Sequence, residues 1–108
     1  MKILLDECLP VPLKKEFKQA EALTVVNMDW TSLKNGNLMR TSIEAGFDIF
    51  LTVDKNLQHQ QNIKQYDIIV VVLDVFHNKL SQLAPLIPVL ESEMGSYEKG
   101  KCYTIKPQ

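Results

Sequence analysis

The chain has little of what several common functions depend on. Among 108 residues there are two cysteines, two histidines and one arginine. Cys8 and Cys102 lack metal-ligand spacing, and His59 and His77 are not paired with them, so a zinc site is not expected. The histidines also have no carboxylate or cysteine at catalytic spacing, and no role is assigned to them. No apolar stretch is long enough to span a bilayer; the longest, residues 68–73, is strand-sized. A basic segment followed by an apolar leader is missing too, and a cytoplasmic location is the expectation. The formal net charge of −1 removes the simplest argument for nucleic-acid binding, which would have to rest on a local patch. Internal repeats, low-complexity segments and linkers are also lacking.

What is present is ordinary globular material. Hydrophobic residues make up 45% and charged residues 23%, which argues against disorder, and the length suits one domain with a core of its own. Strand-like and helix-like runs alternate, the pattern of a parallel sheet covered by helices on both faces. The expected fold is α/β: three layers, α/β/α, around a central, mainly parallel sheet of four to five strands. Strands are read at residues 2–5, 23–26, 48–53, 68–73 and 102–105. The fourth is so uniformly apolar that it must be buried on both faces, and the last alternates as an edge strand does. A first helix is read over residues 10–19 from Leu9, Leu13, Phe17 and Ala20 at helical spacing, with Pro10 suited to its first turn. A second has Asn35 as N-cap, an apolar face of Leu38, Met39, Ile43 and Ala45, and Gly46 just past its end. The polar run 55–62 suits a short helix. Leu80, Leu83, Ile87 and Leu90 mark a last helix, broken or kinked by Pro85 and Pro88.

The chemistry lies in carboxylates at strand ends. Asp6-Glu7 follows the first strand and Asp54 the third, and parallel α/β sheets bind their ligands at the carboxyl ends of strands. If the two strands are neighbours, Asp6 and Asp54 converge and repel unless a divalent cation or a proton neutralises them. Hard cations such as Mg²⁺ or Mn²⁺ take oxygen ligands, so this pairing suits such a site. Spacing alone leaves open the alternative that each Asp caps the helix after it. Cys8, beside the acids, is expected to be a small core residue with a raised pKa. Trp30 is expected to seal its loop against the core, the alternative being a base-stacking or partner-anchoring role.

Three motifs together carry a resemblance. Lys2-Ile3-Leu4-Leu5-Asp6-Glu7-Cys8-Leu9-Pro10, then residues 30–38 from Trp30 through Lys34, Asn35, Gly36 and Asn37 to Leu38, then Phe50-Leu51-Thr52-Val53-Asp54-Lys55-Asn56-Leu57 with Gln60-Gln61-Asn62, are similar to the compact bacterial PIN-like domains of unknown function. These are relatives of the PIN-domain toxin nucleases of type II toxin–antitoxin pairs. The similarity runs to about Glu91. It implies a shortened PIN sheet and a metal-dependent ribonuclease in which a cluster of acids holds one or two Mg²⁺ or Mn²⁺ ions that activate water against an RNA phosphodiester.

Carried onto this chain, the resemblance makes Asp6 and Asp54 metal ligands and Glu7 a weaker catalytic candidate, because adjacent strand residues face opposite ways unless the chain turns. Asn56 would supply a carbonyl oxygen or orient water. Asn37 stands where relatives often carry Glu and is the third candidate ligand, one that has lost its charge. Arg40, Lys34 and Lys55 are candidate phosphate-binding residues; the alternative for Arg40 is a surface pair with Glu44. RNA, an antitoxin protein and a second copy of the chain in a homodimer are the partners implied, with no membrane. The competing function is a PIN-like RNA- or protein-binding module of weak or no activity. A receiver-type phospho-acceptor also has acids at strand ends, but no lysine follows the strand ending Leu73-Asp74-Val75.

Overall fold

A single stretch of β-branched and large apolar residues, Ile69–Leu73, is buried along its whole length and forms the fourth strand (β4) of the sheet. The structure, a computed structural model, describes residues 1–57 and 63–107. Around β4 lie β1 (Lys2–Leu5), β2 (Glu21–Thr24), β3 (Ile49–Thr52) and β5 (Cys102–Ile105), in the order β2-β1-β3-β4-β5. All four pairings are parallel. Such a sheet must be covered on both faces, and alternation along the strands does this. Ile3, Leu5, Ile49, Leu51, Ile69, Val71 and Leu73 share one core with Leu83, Leu86, Ile87 and Leu90. Leu4, Phe50, Val70 and Val72 share the other with Leu38, Met39 and Phe47. Three layers, α/β/α, result.

The helices are α1 (Asn35–Glu44), α2 (Leu80–Leu83) and α3 (Leu86–Glu93). Lys34, with extended backbone, occupies the N-cap of α1, so Asn35 is the first helical residue and not the expected cap. At the other end Gly46 has φ of 88°. Its N–H donates to Ile43 O and that of Phe47 to Ser42 O, both at 3.0 Å, the Schellman pattern that satisfies orphan carbonyls. A Cβ at Gly46 would meet nothing within 4 Å, so only the backbone resists substitution. Gly46→Ala is expected to cost about 1 kcal/mol in urea denaturation; an unchanged midpoint would contradict this account of the helix end.

Two elements differ from expectation for physical reasons. Residues 10–19 do not form an α-helix: a 3₁₀ turn spans Val11–Glu16, and Phe17 is already extended. The N–H groups of Lys18, Gln19 and Ala20, which a helix would bond internally, donate to the carboxylate of Glu91 on α3 at 2.7–3.2 Å. The second strand sits two residues earlier than the periodicity suggests. Thr24 and Asn27 exchange reciprocal hydrogen bonds of 2.9 and 3.1 Å that turn the chain out of the sheet. Pro85 separates α2 from α3 as expected, while Pro88 lies in the first turn of α3, where no intrahelical N–H bond is required. The helix expected over 55–62 lies mostly outside the described residues, as do His59, Gln60, Gln61 and Asn62.

Candidate functional site at the carboxyl ends of the first and third strands

The chain runs from β1 outward to β2 and then returns past β1 to β3, so the connections leave β1 and β3 in opposite directions. In open parallel sheets such a switch point opens a crevice at the strand ends, and this strand order puts it between β1 and β3. A cleft of about 150 Å³ lies there, lined by Asp6, Glu7, Lys34 and Asp54 and walled by apolar residues that include Val25, Leu38, Phe50 and Leu57. Three acidic side chains against one lysine give it an electronegative floor.

Register explains how the two acid-bearing strand ends come together. Leu5 pairs with Leu51, which sets Asp6 opposite Thr52. Phe50 and Asp54 both line the cleft, although the strand itself ends at Thr52. The fully buried Thr52 donates its hydroxyl to Asp6 Oδ2 at 2.8 Å and accepts the Asp54 N–H at 3.0 Å. One hydroxyl thus ties the two acid-bearing strand ends together. The remaining contacts are local. Asp6 Oδ1 accepts the Glu7 N–H at 2.8 Å, and Asp54 Oδ1 accepts the Asn56 N–H at 3.0 Å. Asp6 therefore caps a turn and not the helix that the alternative reading placed after it, since the 3₁₀ segment starts at Val11 with Pro10 at its N-cap.

Glu7 reaches the cleft because the chain does turn. Leu9 N–H donates to Asp6 O at 3.0 Å, a tight turn that overrides strand alternation. The same turn corrects the reading of Cys8, which is exposed while Leu9 takes the core position. Its sulfur points back to Asp6 Oδ2 at 3.3 Å and Thr52 Oγ1 at 3.6 Å. Desolvation around the sulfur raises the thiol pKa, and the neighbouring Asp6 charge adds to this against hydrogen bonding from Val53 and Thr52. A protonated thiol that donates to Asp6 is not a nucleophile.

The other candidates divide. Lys34 lines the cleft from the start of α1. Lys55 instead pairs with Asp74 at 2.6 Å and holds that carboxyl below its usual range. Arg40 Nη2 donates to Asn37 Oδ1 at 2.6 Å, so its partner is Asn37, not Glu44, and neither residue lines the cleft. Asn56 contributes its backbone N–H to Asp54. Trp30 packs edge-on against Phe47 at 5.9 Å, sealing its loop. Among the described residues, no three His, Cys, Asp or Glu side chains gather closely enough to form a metal cluster by themselves. No helix among these residues is long and apolar enough to cross a membrane.

Thr52 is the site residue that sequence reading passed over, although a threonine can accept the N–H two residues on, as Thr52 does from Asp54. Thr52→Val, equal in shape, removes a donor from Asp6 and the acceptor of the Asp54 N–H. It is expected to cost about 1–3 kcal/mol in chemical denaturation, with Thr52→Ser recovering most of it. Equal loss in both variants would show that the methyl group, not the hydroxyl, matters. No family model matches the chain, and neither a curated protein nor a solved structure does.

Proposed function

We propose that the cleft is the centre of a Mg²⁺- or Mn²⁺-dependent ribonuclease of the PIN-like toxin class, acting in the cytoplasm and restrained by an antitoxin protein. The observation that carries this reading is the pair Asp6 and Asp54 held on adjacent strand ends by one buried hydroxyl, in a cleft that also takes in Glu7 and Lys34. The donor set suits the ion, because Mg²⁺ keeps several waters and is held by one or two carboxylates together with substrate phosphate. When bound, the ion would neutralise phosphate charge and lower the pKa of a water for attack on phosphorus.

The chain's own residues would do the rest. Asp6 and Asp54 would hold the cation. Thr52, through Asp6, is a positioning residue. Glu7 lies on the open side of the turn, where it can accept a proton from water. Lys34, which lines the cleft, would bind the phosphate, since Lys55 is engaged with Asp74 and Arg40 with Asn37. The apolar walls of Val25, Leu38 and Phe50 would limit water around the reacting group.

A second reading, a PIN-like module without nuclease activity, draws support from Asn37. Where related domains often carry Glu, the amide here is tied to Arg40, so α1 brings no acid to the cleft. Incubating labelled single-stranded RNA with the wild-type chain and with Asp54→Asn, each with Mn²⁺ or with a chelator, separates the two main readings. Cleavage confined to wild type with Mn²⁺ is expected for the nuclease. Binding without cleavage would favour the module.

A further inference from the structure

Each acid of the Asp6 and Asp54 pair opens a four-residue turn. Leu9 N–H donates to Asp6 O at 3.0 Å and Leu57 N–H to Asp54 O at 3.2 Å, so Glu7-Cys8 and Lys55-Asn56 are the central pairs. Thr52 joins the strand ends beneath, but the turns themselves stand beyond the last residues of β1 and β3. A third segment, residues 74–78 after β4, grips both of them. Asp74 pairs with Lys55 Nζ at 2.6 Å, and the Asn78 amide donates to Cys8 O at 2.7 Å across 70 residues of sequence. Because β4 neighbours β3 and not β1, the link from Asn78 to Cys8 spans the end of β3. The segment is itself anchored. Asp74 N–H donates to Ile105 O of β5 at 2.8 Å, half-buried Val75 packs on the core, and His77 N–H donates to Gln82 Oε1 of α2 at 2.8 Å. None of residues 74–78 lines the cleft, so any effect they have on it passes through the turns.

We propose that residues 74–78 brace the cleft, and that Asp74 and Asn78 are positioning residues that hold Asp6 and Asp54 in place through the two turns. The proposal rests on the reading of these acids as a cation site. Two carboxylates that share a site repel each other in the metal-free chain. A turn outside the sheet resists that push weakly, whereas two turns tied to one anchored segment are kept from separating. Ligands held in advance have less to lose in ordering when the ion enters. The contacts suit this task better than a role in the stability of the whole fold. Lys55 is 58% exposed in its pair and Asn78 lies on the surface, where an ion pair or hydrogen bond contributes little to unfolding free energy. What they fix is the position of the turns.

The test compares Asp74→Ala and Asn78→Ala in the full chain with Asp74→Glu, the conservative replacement, and with Phe76→Ala, a control in the same segment at a side chain 90% exposed. Mn²⁺ affinity by calorimetry, single-turnover cleavage of single-stranded RNA and thermal unfolding are measured on each. Both alanine variants at 74 and 78 are expected to weaken Mn²⁺ binding and slow cleavage about tenfold, the usual scale for losing a group behind a metal ligand, with a nearly unchanged unfolding midpoint. Asn78→Ala changes no charge, so a loss there cannot come from a weaker field at the cleft. Asp74→Glu still reaches Lys55 and should keep most of the affinity and rate, and Phe76→Ala should match wild type. Wild-type affinity and rate in the variants at 74 and 78, or losses that track a fall in the unfolding midpoint, would overturn the brace and leave the cation site standing. A wild type that binds no Mn²⁺ would overturn the cation-site reading itself, and the brace with it.

Discussion

Asp6→Asn and Asp54→Asn are each expected to lower Mn²⁺-dependent cleavage of single-stranded RNA by about a hundredfold or more, the scale on which a preorganised electrostatic contact to the reacting group is lost. Their effects on stability without metal should differ, and the difference is diagnostic. Asp6 accepts three donors, the Thr52 hydroxyl, the Cys8 thiol and the Glu7 N–H. An amide in its place turns one acceptor into a donor facing a donor, at a cost of about 1–2 kcal/mol. Asp54 is exposed, and its carboxylate accepts the Asn56 N–H, which the carbonyl of an asparagine can also accept. Its substitution should change stability by no more than about 0.5 kcal/mol. Equal loss of activity with unequal loss of stability, from single-turnover cleavage and urea denaturation of the same preparations, is the expected result. Full activity in either variant would remove that residue from the chemistry.

Glu91→Gln should give the largest loss of stability, about 2–3 kcal/mol, from a residue remote from the cleft. The side chain is 8% exposed and takes the N–H groups of Lys18, Gln19 and Ala20. Burial by itself would raise its pKa, but these three donors, aided by the Lys18 charge, outweigh burial and hold it below the usual glutamate value. The ionised form therefore favours the folded chain. In the unfolded chain Glu91 titrates near the ordinary value of about 4.3. Its contribution is complete above that value and is lost as pH falls through the lower folded-state pKa. Glu91→Gln puts an amide N–H₂ against the same donors, so it should both destabilise at neutral pH and flatten the acid limb of stability against pH. A variant as stable as wild type at neutral pH, with the same acid limb, would contradict the role given to this carboxylate.

The parts of the fold that were legible in the sequence are those fixed by local pattern. The run Ile69–Leu73, the position of Gly46 and the break at Pro85 each follow from side-chain chemistry within a few residues. What escaped depends on distance along the chain. The 3₁₀ turn at Val11–Glu16 ends where Glu91, more than 70 residues away, captures the backbone of residues 18–20. Periodicity in the segment itself carries no trace of that. The site shows the same division. Acids at strand ends could be read directly, whereas the partner of Lys55, Asp74, required knowing which loops lie together. Cys8 was misplaced because its burial was read from the general habit of free cysteine, whereas the turn at Asp6 gives the core position to Leu9.

The most direct test of the central claim is calorimetric titration of Mn²⁺ into the metal-free chain, wild type beside Asp54→Asn. If Asp6 and Asp54 form a cation site, the wild type gives a saturable isotherm and Asp54→Asn binds at least about tenfold more weakly, the loss of one charged ligand from a small donor set. No saturable binding to the wild type, or the same affinity in both proteins, would contradict the account.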